Sequence, residues 1–184
     1  KLTPGINQVS FNRFPNGKNE THLYKQMNPY LNFKTPIGKF SDLHANYNHT
    51  LSLGTVRDIY GNNILLNFRQ INSNKIPLPI SSTDIFTLRI QKNSALKLLF
   101  FYTSLSLALK TENFILSSLI DSGLTVTNYL PIANKFNSYS ANMGLSKYFY
   151  DFKTTISLNG AFTKNKSQAL INEKLIPYMA NQFL

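Results

Sequence analysis

The sequence predicts an all-β fold of antiparallel, up-and-down transmembrane strands, about eight of them, and three observations support this. Apolar and polar residues alternate with period two, which puts successive side chains on opposite faces of a sheet. Several alternating segments exceed about 10 residues, whereas strands of soluble domains centre near 5 or 6. The polar half of the alternation is Ser, Thr and Asn more than Lys and Glu, and only 15% of the 184 residues are charged. Small polar residues on one face and apolar residues on the other suit a wide, wet barrel, because lipid replaces water as its outer solvent.

In chain order the expected strands are 5 to 14, 22 to 34, 40 to 55, 83 to 91, 99 to 117, 124 to 147, 152 to 165 and 174 to 184. The clearest alternation sets Leu43, Ala45, Tyr47, His49, Leu51 and Leu53 against Asp42, His44, Asn46, Asn48, Thr50 and Ser52. It returns as Phe101, Leu105, Leu107 and Leu109 against Tyr102, Ser104, Ser106 and Ala108. Tyr139, Ala141, Met143 and Leu145 then oppose Ser138, Ser140, Asn142 and Ser146, and Ile156, Leu158 and Phe162 oppose Thr155, Ser157, Asn159 and Thr163.

Short links are expected at Thr35 to Lys39, Lys92 to Lys97 and Tyr148 to Asp151. Longer polar links alternate with them at Pro15 to Thr21, Val56 to Thr83, Asp121 to Gly123 and Lys166 to Glu173. Short turns at one rim and long loops at the other form the outer-membrane arrangement, with the short rim periplasmic. Aromatics gather beside the short links, at Phe40, at Phe100 to Tyr102 and at Tyr148 to Phe152, as an interfacial girdle would. The excursion from Val56 to Thr83, with Pro77 and Pro79 in its descent, is expected to lie outside the barrel wall, since prolines interrupt a continuous ladder.

Composition narrows the function. The longest apolar stretch, Leu98 to Leu109, is interrupted by Thr103, Ser104 and Ser106 and fenced by Lys97 and Lys110. It falls short of the roughly 20 residues of a spanning helix, whereas a tilted barrel strand crosses with about 9 to 11. The formal charge is +11, but the basic residues are scattered, so solvated turns, pore lining or anionic lipid account for them and no nucleic acid is expected. There is no Cys, and so no disulfide framework and no thiolate metal site. The start at Lys1 and the stop at Leu184 inside an expected strand lead us to expect residues 1–184 to be one domain, part of a larger barrel.

The run GTVRDIYGNNILLNFRQINSNKIPLP, the strand DIFTLRIQ, the turn KNSALKLLF, the strand FYTSLSLALK and the later ANMGLSKYFYDFKTTISLNGAF resemble the C-terminal barrel strands of TonB-dependent receptor-like proteins. The closer similarity is to the Bacteroidota type with an N-terminal carboxypeptidase-like domain, from about Tyr30 onward. The resemblance implies a barrel of about 22 strands around a plug, in the outer membrane of a Gram-negative bacterium, importing a bulky solute with energy passed through TonB. Its implied partners are outer-membrane lipid, the remainder of the barrel and plug, TonB and a surface lipoprotein. A receptor-like barrel acting as a scaffold for surface lipoproteins or an assembly complex is the alternative, and a soluble basic β-domain binding polyanions is the third reading.

No catalytic constellation is visible. The three His and eight acidic residues are dispersed, with no H-E-x-x-H, G-x-S-x-G or phosphate-cradling glycine loop. The chain is therefore read as a non-enzyme with no cofactor and no metal. Asp42 and His44 share one parity of their strand and are candidate solute contacts on the lumen side. Arg57 and Asp58 open the long excursion and are candidate loop contacts, since loops on rigid scaffolds carry recognition. His49 has the opposite parity, toward lipid, where a polar ring needs a partner.

Overall fold

The computed structural model describes residues 2–13, 18–54, 63–74 and 78–184. Twelve strands form among them: β1 (Leu2–Arg13), β2 (Lys18–Gly38), β3 (Ser41–Leu53), β4 (Ile64–Asn67), β5 (Gln70–Asn74), β6 (Ile80–Ser94), β7 (Leu99–Glu112), β8 (Ile115–Asp121), β9 (Leu124–Leu130), β10 (Asn134–Phe149), β11 (Thr154–Ile171) and β12 (Lys174–Phe183). No helix occurs among the described residues. All twelve strands join one sheet, which is mixed and open, and β1 and β12 do not pair with each other.

The eight long strands β1, β2, β3, β6, β7, β10, β11 and β12 are antiparallel neighbours in that order and correspond one for one to the eight expected. The four short strands depart from a purely antiparallel meander. They arise in the two long excursions, 54–79 and 113–133, each of which folds a hairpin, β4–β5 and β8–β9. β5 then pairs parallel to β9, and β8 pairs parallel to the far end of β11 at Leu170 and Ile171. Parallel neighbours require a connection of a dozen or more residues, and here the chain from β5 to β9 runs through β6, β7 and β8, and that from β8 to β11 through β9 and β10.

Two expected strands are therefore divided. The segment 99 to 117 breaks at Asn113, whose side chain accepts from the Ile80 amide at 2.8 Å and donates to the Leu78 carbonyl at 3.0 Å, tying one excursion to the other. The segment 124 to 147 breaks at Pro131, which has no amide to donate to a ladder. The expected loop Lys166 to Glu173 is instead the end of β11 and a two-residue turn, Asn172 and Glu173, at φ 47° and 65°. Ser122 and Gly123 repeat that geometry at 44° and 86°, the pair of positive φ values that matches the twist of a hairpin. The short turns 95–98 and 150–153 each close by an i to i+3 hydrogen bond, ending on a left-handed residue, Leu98 or Lys153.

The register sorts side chains by face, because directly opposed residues share a side. One row across seven adjacent strands reads Phe33, Ala45, Leu88, Leu105, Ala141, Phe162 and Phe183. The row one residue along each strand, on the other face, reads Asn32, Asn46, Thr87, Ser106, Ser140, Thr163 and Gln182. Among the described residues no second layer covers either face. Among the described residues the buried large hydrophobics are Leu78, Phe114 and Ile115, all in the excursions, while Phe33 and Leu105 in the wall are 57% and 56% exposed. The accessible surface is 12777 Å², against about 9,000 Å² expected for a compact soluble chain of this mass.

The hydrophobic core thus sits at the long-link rim. Phe114 meets Tyr129 edge to face at 5.2 Å, and Gly54 donates to the Pro79 carbonyl at 2.7 Å. A Cβ at Gly54 would press on the Pro79 ring at 3.0 Å, so this close crossing requires glycine. Asn172 accepts from the Ile120 amide and donates its own amide to the Ser118 carbonyl, fastening the β8–β9 hairpin to the β11–β12 turn.

Candidate functional site

The polar face carries a group of ionisable and aromatic side chains in the half nearer the short turns. Three basic residues, Lys34 of β2, His44 of β3 and Arg89 of β6, stand directly opposite one another in one row, continued by Ser104, Asn142 and Ala161. Lys34 and Arg89 thus flank His44 from either side. The Asp42 carboxylate lies 3.8 Å from the Lys34 ammonium. His44 Nε2 and Asn46 Oδ1 are buried and have no hydrogen-bond partner. Unmet polar atoms of this kind are candidate ligand contacts.

The next row sets Asp42, Gln91, Tyr102, Gly144 and Asn159 side by side. The Arg89 guanidinium lies 5.3 Å from the centre of the Tyr102 ring, a cation–π contact that fixes its plane. Tyr102 lies across Gly144, where any Cβ would overlap the ring. Arg89, the Tyr102 face and the orphan His44 nitrogen form a surface suited to a carboxylate or phosphate on a larger polar solute.

The sequence-based candidates fare unevenly. Asp42 and His44 do lie on the polar face and next to each other's row. Arg57 and Asp58 lie outside the described residues. Lys34, Arg89 and Tyr102 complete the group and were not singled out from sequence. Arg89 was within reach, since Ile85, Thr87, Arg89 and Gln91 share a parity, but only the register brings it opposite His44.

His49 acquires the partner its outward parity demands. It faces Asp84 across β3 and β6, with Nδ1 2.8 Å from Oδ1, and the Tyr47 hydroxyl donates to the same oxygen at 2.8 Å. The polar trio lies on the apolar face close to the long-link rim, its hydrogen bonds satisfied internally. Among the described residues no three His, Cys, Asp or Glu group as a metal site would.

An open apolar cleft of about 890 Å³ lies over the centre of the wall, lined from Leu31 and Phe33 through Phe86, Leu105 and Leu107 to Tyr139 and Phe162. Comparison with protein-family models, with curated proteins and with solved structures finds no match.

Proposed function

We propose that this chain is part of the wall of an outer-membrane β-barrel receptor, serving TonB-dependent uptake of a bulky solute, with the apolar face toward lipid and the polar face toward a hydrated lumen. The observation that carries the reading is the pair of adjacent rows across seven strands, one wholly apolar and the other wholly polar. A soluble sheet would bury its apolar face against a second layer, yet among the described residues no layer covers it. Leu99 to Leu109 spans about 34 Å along β7, or about 26 Å along the membrane normal at a tilt of roughly 40°, which fits an apolar band about 25 Å tall.

The open edges of β1 and β12 are where further wall strands would add. The two long excursions then lie outside the cell and the turns 39–40, 95–98 and 150–153 face the periplasm. Lys34, His44, Arg89 and Tyr102 contribute to the lumen contacts of a solute bearing an acidic group. TonB coupling and the plug rest on the resemblance to the receptor family.

Cysteine labelling in whole cells tests the topology. Phe68 at the β4–β5 tip and Leu96 in a short turn are both highly exposed. With an impermeant maleimide, Phe68→Cys should react on intact cells and Leu96→Cys only after the outer membrane is opened. Equal labelling of both on intact cells contradicts the reading. Solute accumulation that persists without TonB would remove the transport half and leave a scaffold barrel.

A further inference from the structure

Three cation–π contacts among the described residues join side chains one or two apart in sequence: Lys39 with Phe40, Arg69 with Phe68 and Lys147 with Phe149. The contact of Arg89 with Tyr102 instead crosses from β6 to β7, with the guanidinium 5.3 Å from the ring centre, although the residue directly opposite Arg89 is Ser104. Tyr102 has Gln91 opposite it on one side and Gly144 of β10 on the other, and any Cβ at position 144 would overlap its ring. Glycine inside a strand often marks a close approach. Here it leaves the space in which the Tyr102 ring lies, and the ring in turn supports the Arg89 guanidinium.

A guanidinium on a flexible stem turns freely, whereas stacking on a ring fixes its plane. A fixed plane presents two parallel N–H donors to two coplanar oxygens. The surrounding charge selects as well. Lys34 is engaged by Asp42 at 3.8 Å, and Arg89 forms no ion pair among the described residues. His44 aside, the two cations and the one carboxylate of the group leave a single positive charge. A carboxylate brings one negative charge and two oxygens in a plane, whereas a phosphate monoester is tetrahedral and carries about 1.5 to 2 charges. Ser104 and Asn142 continue the row from Arg89, and with Tyr102 and Asn159 they help to line a cavity of about 340 Å³. Neutral hydroxyl and amide groups there suit an uncharged polar body attached to the carboxylate.

We propose that Arg89 is the residue that recognises the acidic group of the solute, that this group is a carboxylate rather than a phosphate ester, and that Tyr102 and Gly144 are positioning residues for the guanidinium. The inference rests on the lumen reading above and deepens it by naming the acidic group. A sugar acid and a peptide C-terminus share this chemistry, and the two arms of the test separate them.

The full-length protein in detergent is titrated by calorimetry with galacturonate against its methyl ester, and with trialanine against trialanine amide. At least one acid should bind about tenfold tighter than its neutral partner, the size of one charge-assisted contact, and the pair that shows the preference names the source. Arg89→Lys keeps the charge but loses the fork, and should bring the ratio close to one. Tyr102→Leu and Gly144→Ala leave Arg89 in place and should do the same, while Tyr102→Phe keeps the ring and should retain the preference. A residue that only supported the fold would lower acid and neutral binding together and leave their ratio unchanged; gel mobility checks that each variant is folded. Equal binding within both pairs, a preference that survives Arg89→Lys or Tyr102→Leu or is lost in Tyr102→Phe, or glucose 6-phosphate competing as strongly as the acid would each overturn the carboxylate site. These results leave the barrel reading in place, because the labelling of Phe68→Cys and Leu96→Cys tests it separately. Equal labelling of those two variants would remove the lumen whatever the ratio.

Discussion

Replacing Leu105 by Arg separates a lipid-facing wall from a water-facing one by sign as well as size. Leu105 is at the middle of β7, opposite Leu88 and Ala141, and is 56% exposed. In water an exposed position of this kind tolerates Arg within about 0.5 kcal/mol. At the midplane of a bilayer the same change costs about 2 to 4 kcal/mol, which is roughly 30-fold to 1,000-fold in the unfolding constant. Ser106 is the internal control. It faces the other way, opposite Thr87 and Ser140, and Ser106→Arg loses one hydrogen bond to Thr87 at 3.2 Å, worth about 0.5 to 1.5 kcal/mol. Urea unfolding in liposomes, followed by the folded form's gel mobility, measures both. The expected order is Leu105→Arg well below Ser106→Arg; equal costs, or Ser106→Arg as the worse change, would refute the face assignment.

Three further outcomes follow from local geometry. Gly144→Ala should cost about 1 to 3 kcal/mol by overpacking against Tyr102, and almost nothing in a Tyr102→Ala background, as denaturant midpoints of the two series would report. Asn113→Ala removes the side-chain bonds to Leu78 and Ile80 that join the two excursions and should loosen them by about 2 to 3 kcal/mol, seen as faster amide exchange at Ile80. Glu173→Gly relieves a left-handed backbone at φ 65° and should raise stability by about 1 kcal/mol, read from the same denaturant midpoints; a loss of stability would mean the turn tolerates the glutamate for another reason.

The wall was legible in the sequence and the rim was not. Period-two alternation is a property of each strand alone, so the eight long strands and the opposite faces of Leu105 and Ser106 could be read directly. Register is a relation between strands, which is why Arg89 and Lys34 were not connected to His44 and why the outward His49 lacked its Asp84. The apolar phase shifts from the odd positions Leu105, Leu107 and Leu109 to the even positions Phe114 and Leu116, a local sign of a break, but nothing local announced that Asn113 ends β7 by bonding to residues some 33 positions back in the chain. The turn at Asn172 and Glu173 was hidden because Lys166 to Glu173 is polar enough to read as a loop, whereas Ser167, Ala169 and Ile171 still alternate along β11. The parallel pairs of β5 with β9 and β8 with β11 depend on two excursions meeting in space, which no single segment encodes.

Nitroxide scanning of residues 102 to 109 in liposomes tests the central claim most directly, by comparing collisions with oxygen, which concentrates in the bilayer, against a water-soluble nickel complex. Thr103, Leu105, Leu107 and Leu109 share the apolar face, and Tyr102, Ser104, Ser106 and Ala108 the polar one. The account predicts a period-two oscillation in which oxygen accessibility peaks at the odd positions and nickel accessibility at the even ones, in antiphase. Two profiles that rise and fall together, or eight positions equally open to the nickel complex, would contradict it.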